Sequence, residues 1–139
     1  MLISKSEIIS LAFISSFDEN DIKDEIINTA ISKYIIPAVT PAIYQQAVDN
    51  PEDYNILISN YINPCIAFYV KYLQLQQLFL ESSRFISPEI ATVKNNLKET
   101  VAEVLIIALQ KKADLSQYVV QNYIFTPPSS KKLINGFLI

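Results

Sequence analysis

Tyr54 to Leu80, YNILISNYINPCIAFYVKYLQLQQLFL, is the stretch that most constrains this chain. Its 27 residues carry a single charge, Lys71, and its apolar side chains face almost every direction around a helix. Such a helix must be covered on nearly all sides, by its own chain or by neighbouring subunits. Pro64 lies near its centre. Proline has no amide hydrogen and its ring collides with the carbonyl four residues back, at Asn60, so the helix is expected to kink, or to stop and restart, at Asn60 and Pro64. The side-chain amides of Asn60 and Asn63 are placed to donate to the carbonyls freed there, or else are solvent-facing residues beside the kink. Beyond Pro64 the apolar run continues to Leu80, and this half is expected to be the most deeply covered part of the molecule.

A bilayer span is the obvious competing reading. Asn60, Asn63, Pro64, Lys71, Gln74, Gln76 and Gln77 interrupt the stretch, and no apolar run reaches the roughly eighteen residues a span needs. A buried core helix is therefore expected, and no membrane partner. The rest of the composition agrees with helix. One glycine in 139 residues leaves little material for tight hairpin turns, and the length is enough for one ordinary domain with a real core. Half of the residues are hydrophobic, a surplus that reads as subunit interface. The N-terminal MLISKSEIISLAF lacks the basic start and small-residue cleavage site of a secretory signal and is taken as part of the fold.

Along the chain, Ser4 with Glu7 forms a capping box for a short helix to about Phe13. Asp18, followed by Glu19 and Asp21, is expected to cap a strong helix whose apolar face is Ile22, Ile26, Ile27, Ala30, Ile31, Tyr34, Ile35 and Ala38. Pro37 places its end around Ile36 to Val39. Thr40 and Pro41 start a brief helix to about Val48, and Asn50, Pro51, Glu52 and Asp53 repeat the start signal for the central one. Ser87 and Pro88 open a last long helix with a buried stripe of Ile90, Val93, Leu97, Val101, Val104, Leu105, Ala108 and Leu109. Leu115 to about Tyr123 continues it. The predicted fold is all-α, a helical bundle of four to six helices over residues 1–126 around a central apolar helix kinked or broken near Pro64, with an extended C-terminal arm over 127–139.

The arm follows from Thr126, Pro127, Pro128, Ser129 and Ser130, which end regular structure, and from the dense apolar terminus behind them. Lys131, Lys132, Leu133, Ile134, Phe137, Leu138 and Ile139 are the candidate interface residues. Either the terminus folds back on its own bundle, or it reaches a neighbouring chain across the stiff double-proline spacer.

Chemistry is sparse. Without histidine there is no imidazole base or metal ligand, and the lone cysteine, Cys65, lies in an apolar helix that raises a thiol pKa. Gly136 is the only glycine, so no glycine-rich phosphate loop can form. The acids from Asp18 to Glu25 are explained by helix capping. No catalytic residue, cofactor or metal is expected, and the chain is read as not an enzyme. A net charge of -3 with no basic run lacks the cationic footprint of a duplex-binding protein. Eight tyrosines serve either core filling or protein contact.

The succession of KYIIPAV (Lys33 to Val39), TPAIYQQAV (Thr40 to Val48) and YINPCIAFYVKY (Tyr61 to Tyr72) resembles tailed-phage head-to-tail connector proteins. It is most similar to the small helical adaptor or head-completion proteins of phages infecting Bacteroidetes, crAss-like phages included. The resemblance covers about residues 3–125. It implies a virion neck protein, assembled in the host cytoplasm: a homo-oligomeric ring, commonly twelve-fold, docked on the portal protein and bridging it to the next neck or tail protein. Genomic DNA would pass through the lumen without specific binding, which suits a wall of net negative charge. The alternative is a helical regulatory or apolar-ligand-binding module, its pocket opening beside Pro64 among Tyr61, Phe68 and Tyr69.

Overall fold

The computed structural model describes residues 2–13, 18–82 and 88–124, and the side chains of these except 82, 88–97 and 124. Five helices and no strand lie among the described residues, so the all-α fold predicted from sequence is the one observed. They are α1 (Lys5–Ala12), α2 (Asp24–Val39), α3 (Pro41–Asp49), α4 (55–82) and α5 (88–124). The C-terminal arm lies outside the described residues.

Helix α4 is the centre of the bundle, packed by α1, α2 and α5. Leu57, Ile62, Ile66, Tyr69 and Val70 from α4 are fully buried against Ile8, Ile27, Ile35, Leu115 and Val119 from those three helices. Each such aliphatic side chain contributes about 1.5–3 kcal/mol on leaving water. Burial is deepest from Cys65 to Val70 and fades beyond: Leu73 is half-buried and Leu78 and Leu80 are exposed. The expectation that the half after Pro64 is the most covered holds for Cys65 to Val70 and fails toward Leu80.

The chain passes Pro64 without leaving the helix. Ile58–Ile62 form a π-turn between Asn55–Leu57 and Asn63–Ser82, and the Asn63 N–H donates to the Ile58 carbonyl, five residues back. A wider turn of this kind takes up the missing donor and the ring clash that an α-turn ahead of proline would suffer. The same device carries Pro37 inside α2, where Ile31–Ile35 form a π-turn and the Ile36 N–H donates to the Ile31 carbonyl. The two segments read ISKYIIP and ISNYINP. A third π-turn, Val120–Ile124, reads VQNYI and ends the described part of α5.

Asn63 does something else than either expectation. It is buried, and its Nδ2 donates to the Leu2 carbonyl at 3.4 Å, tying the N-terminal segment to the central helix. Asn60 is exposed.

The helix starts are partly corrected. The Ser4–Glu7 capping box forms as read, with both reciprocal bonds at 3.2 Å. Asp18 caps only the 3₁₀ turn Glu19–Asp21. Ile22 is then extended and fully buried, and α2 begins at Asp24. Burying Ile22 as an anchor outweighs continuing the acidic turn into a helix. Likewise Pro51 to Tyr54 form a turn and α4 begins at Asn55. Thr40 and Pro41 behave as N-cap and first residue of α3, with Thr40 Oγ1 accepting from the Ile43 N–H at 3.4 Å.

Candidate functional site

Helix α5 presents two faces. Val104, Ala108, Leu115 and Val119 are buried against the bundle. On the other side Ala102, Ile106, Leu109, Ala113, Ser116 and Val120 follow at alternating steps of four and three residues, the spacing of a helix-packing seam. Five of the six are exposed and Ser116 is half-buried. Ile106 is 68% exposed and Leu109 51%. Leu109 thus does not belong to the buried stripe in which the sequence placed it. The two stripes are offset by one or two positions, so an apolar residue from one is easily counted into the other. The four-three steps from Ala102 are the signal that separates them.

Lys98, one turn before Ala102, is exposed at the start of this seam. Lys111 lies with its Nζ 5.8 Å from the centre of the Phe68 ring, and Lys112 is close enough to Cys65 to act on its thiol electrostatically. Glu103 and Asp114 are exposed, the Asp114 carboxylate accepting from Gln110 Nε2 at 2.9 Å.

At the end of α5 lies a group of tyrosines. Tyr118 stacks on Tyr61, ring centres 4.2 Å apart, and Tyr123 meets Tyr54 at 5.3 Å and Tyr118 at 6.1 Å. Tyr54 Oη donates to Gln46 Oε1 at 2.6 Å, joining the end of α3 to this cluster. Elsewhere Tyr34 stacks on the buried Tyr69 at 4.0 Å. Each π-turn contributes one tyrosine with a ring partner: Tyr34 and Tyr61 are stacked, and Tyr123 is tilted against Tyr54. The signal in the sequence that places these three is the recurring five-residue pattern ISKYI, ISNYI and VQNYI.

Tyr61, Phe68 and Tyr69, the residues named for a ligand pocket, each have a different neighbour: Tyr118, Lys111 and Tyr34. The cleft that Tyr61 lines is open, about 330 Å³, and its other walls are Asp114, Gln117, Tyr118 and Gln121, mostly polar. Cys65 is buried, and desolvation pushes its thiol up to about 12. No group of three metal-binding side chains is assembled among the described residues. No single described helix is long and apolar enough to cross a membrane, although α2 and α3, bent by 107° at Thr40, meet the length and composition together. Lys131 to Ile139, the interface residues read from the sequence, lie outside the described residues. Comparison with protein-family models, curated proteins and solved structures finds no match.

Proposed function

We propose that this chain is a structural, non-enzymatic subunit of a tailed-phage neck, a head-to-tail connector that forms a homo-oligomeric ring on the portal vertex and bridges it to the next neck or tail component. The observation that carries the reading is the exposed apolar seam of α5, on the side away from Val104, Ala108, Leu115 and Val119, which are buried in the bundle. A face of this spacing suits a helix of another subunit. The likeness of Lys33 to Val39, Thr40 to Val48 and Tyr61 to Tyr72 to connector proteins supplies the identity of that assembly. Leu133, Ile134, Phe137, Leu138 and Ile139, with Lys131 and Lys132, supply the arm that reaches the portal or a neighbour. The lumen carries DNA without gripping it, in keeping with the net charge of -3.

The test is co-expression with the portal protein of the same genome, followed by affinity capture of the portal and mass measurement of the complex. Capture of this chain in a fixed multiple of its 15.8 kDa mass is expected. A stable monomer that ignores the portal ring at high concentration overturns the reading.

A further inference from the structure

The residues of the α5 seam differ in size in a particular order. Ala102 is small, Ile106 and Leu109 are large, Ala113 and Ser116 are small, and Val120 is large again. Read backwards, that order is its own complement. Laid antiparallel on a second copy, about a two-fold axis at the level of Lys111, the seam puts Leu109 on Ala113, Ile106 on Ser116 and Ala102 on Val120. Each pair recurs on the far side of the axis. Every layer then joins one bulkier side chain to one smaller one, which keeps the two helices evenly spaced over the about 27 Å from Ala102 to Val120.

We propose that, away from the portal, the protein is a two-fold dimer whose α5 seams pack antiparallel on one another. Other arrangements of the same two seams fit less well. In a parallel pair in register, Ile106 and Leu109 meet their own copies while Ala113 and Ser116 meet theirs, and the helices splay. A parallel pair slipped by one heptad matches sizes, but it sets Ile106 of one copy on the Glu99 carboxylate of the other and leaves fewer layers in contact. An antiparallel pair slipped by a heptad puts Ala102 on Ala113, or Ala113 on Ser116, and leaves those layers underpacked. On one flank of the proposed pair Glu103 falls opposite Gln117, and Gln110 opposite its own copy, so like charges do not meet there. On the other flank Lys112 is half-buried, near Cys65. Such a contact uses the same face on both copies and closes at two, so a ring built through this face has to open it first. The pairing stands whether or not the chain builds a ring.

Two measurements on the full chain test it. In the first, the dissociation constant of the dimer is read by sedimentation equilibrium, with circular dichroism showing that each variant is folded. The parent is expected to approach twice its 15.8 kDa mass as concentration rises. Leu109→Ala sets alanine on alanine and Ala113→Leu sets leucine on leucine, so each alone should weaken the dimer at least tenfold. The double variant exchanges the partners across the axis and should return to within threefold of the parent. A monomer at every concentration overturns the proposal in favour of a seam covered by another protein or by its own chain. A double variant no tighter than the weaker single variant overturns the antiparallel register. In the second, chains carrying Ile106→Cys and chains carrying Ser116→Cys are oxidised with copper phenanthroline, separately and mixed. A disulfide needs Cα atoms within about 7 Å, a separation expected here for the mixed pair alone. Cross-linked dimers should form at least tenfold faster in the mixture. Equal rates with Ile106→Cys alone overturn the proposal.

Discussion

Tyr69 is the largest fully buried side chain, and its hydroxyl makes no hydrogen bond to the described protein. The ring does the packing, against Tyr34, while the hydroxyl stays desolvated without return. Tyr69→Phe is therefore expected to be neutral or to stabilise by up to about 1 kcal/mol, whereas Tyr69→Ala should cost about 3–5 kcal/mol, both read from urea melts. A loss above about 1 kcal/mol in the phenylalanine variant would mean that the hydroxyl has a partner. Burial also raises the Tyr69 phenol to about 12 from its ordinary 10.0, and the Cys65 thiol to about 12 from 9.0. Both groups are neutral in the fold up to about pH 12, while the unfolded chain releases the thiol proton from about pH 9 and the phenol proton from about pH 10. Their stabilisation is thus complete below pH 9 and is lost as pH rises toward 12, on the order of 1 kcal/mol per group for each unit. Thermal melts between pH 8 and 11 should show the decline. Cys65→Ala should move its onset from about pH 9 to about pH 10.

At the level of elements, the joint between α2 and α3 carries a specific strain. Thr40 has φ 82° and ψ 146°, a region that suits glycine. The ψ value is what a residue before proline adopts; the positive φ comes from turning the chain through 107° between two packed helices. Thr40→Gly relieves the strain while glycine still serves as an N-cap, so its melting temperature should be no lower than that of the parent. Thr40→Ala keeps the Cβ, loses the Oγ1 cap, and should cost about 1 kcal/mol. Cap chemistry of this kind was readable in advance: Ser4 with Glu7, and Thr40 with Pro41, stand where their residue types place them. Asp18 and Asn50 were misleading, because a good cap says only that a helical turn can start. Whether it continues depends on tertiary burial, here of Ile22, and on the Pro51 to Tyr54 turn. Pro64 is read as a kink or a break, and the chain does not break there. The rule that proline breaks an α-helix is sound, but the chain answers it by widening one turn, and the repeated ISKYI and ISNYI ahead of Pro37 and Pro64 were the clue.

For the whole molecule, the question is what the exposed side of α5 is for. Periodicity gave the buried stripe, because Val104, Ala108, Leu115 and Val119 are spaced to face one side of a helix. It could not say which of the remaining apolar residues meet water, since that depends on where the bundle stops, and it stops short of Ile106 and Leu109. A double substitution separates the two roles. Because both side chains lie outside the core, Ile106→Glu with Leu109→Glu should change the stability of the isolated subunit by no more than about 1 kcal/mol. Ile62→Ala, a buried residue of α4, should cost about 2–5 kcal/mol. If the seam is an assembly surface, the glutamate pair should abolish ring formation and portal capture while the melt is preserved, because two desolvated carboxylates cannot be paid back across an apolar contact. The alanine variant should show the reverse, a lower melt with assembly intact below it. Size-exclusion chromatography with light scattering, run on both variants with the portal present, reads the difference directly. Retained assembly in the glutamate pair would move the interface elsewhere, to another exposed apolar site of the described surface such as Leu78 and Leu80 of α4.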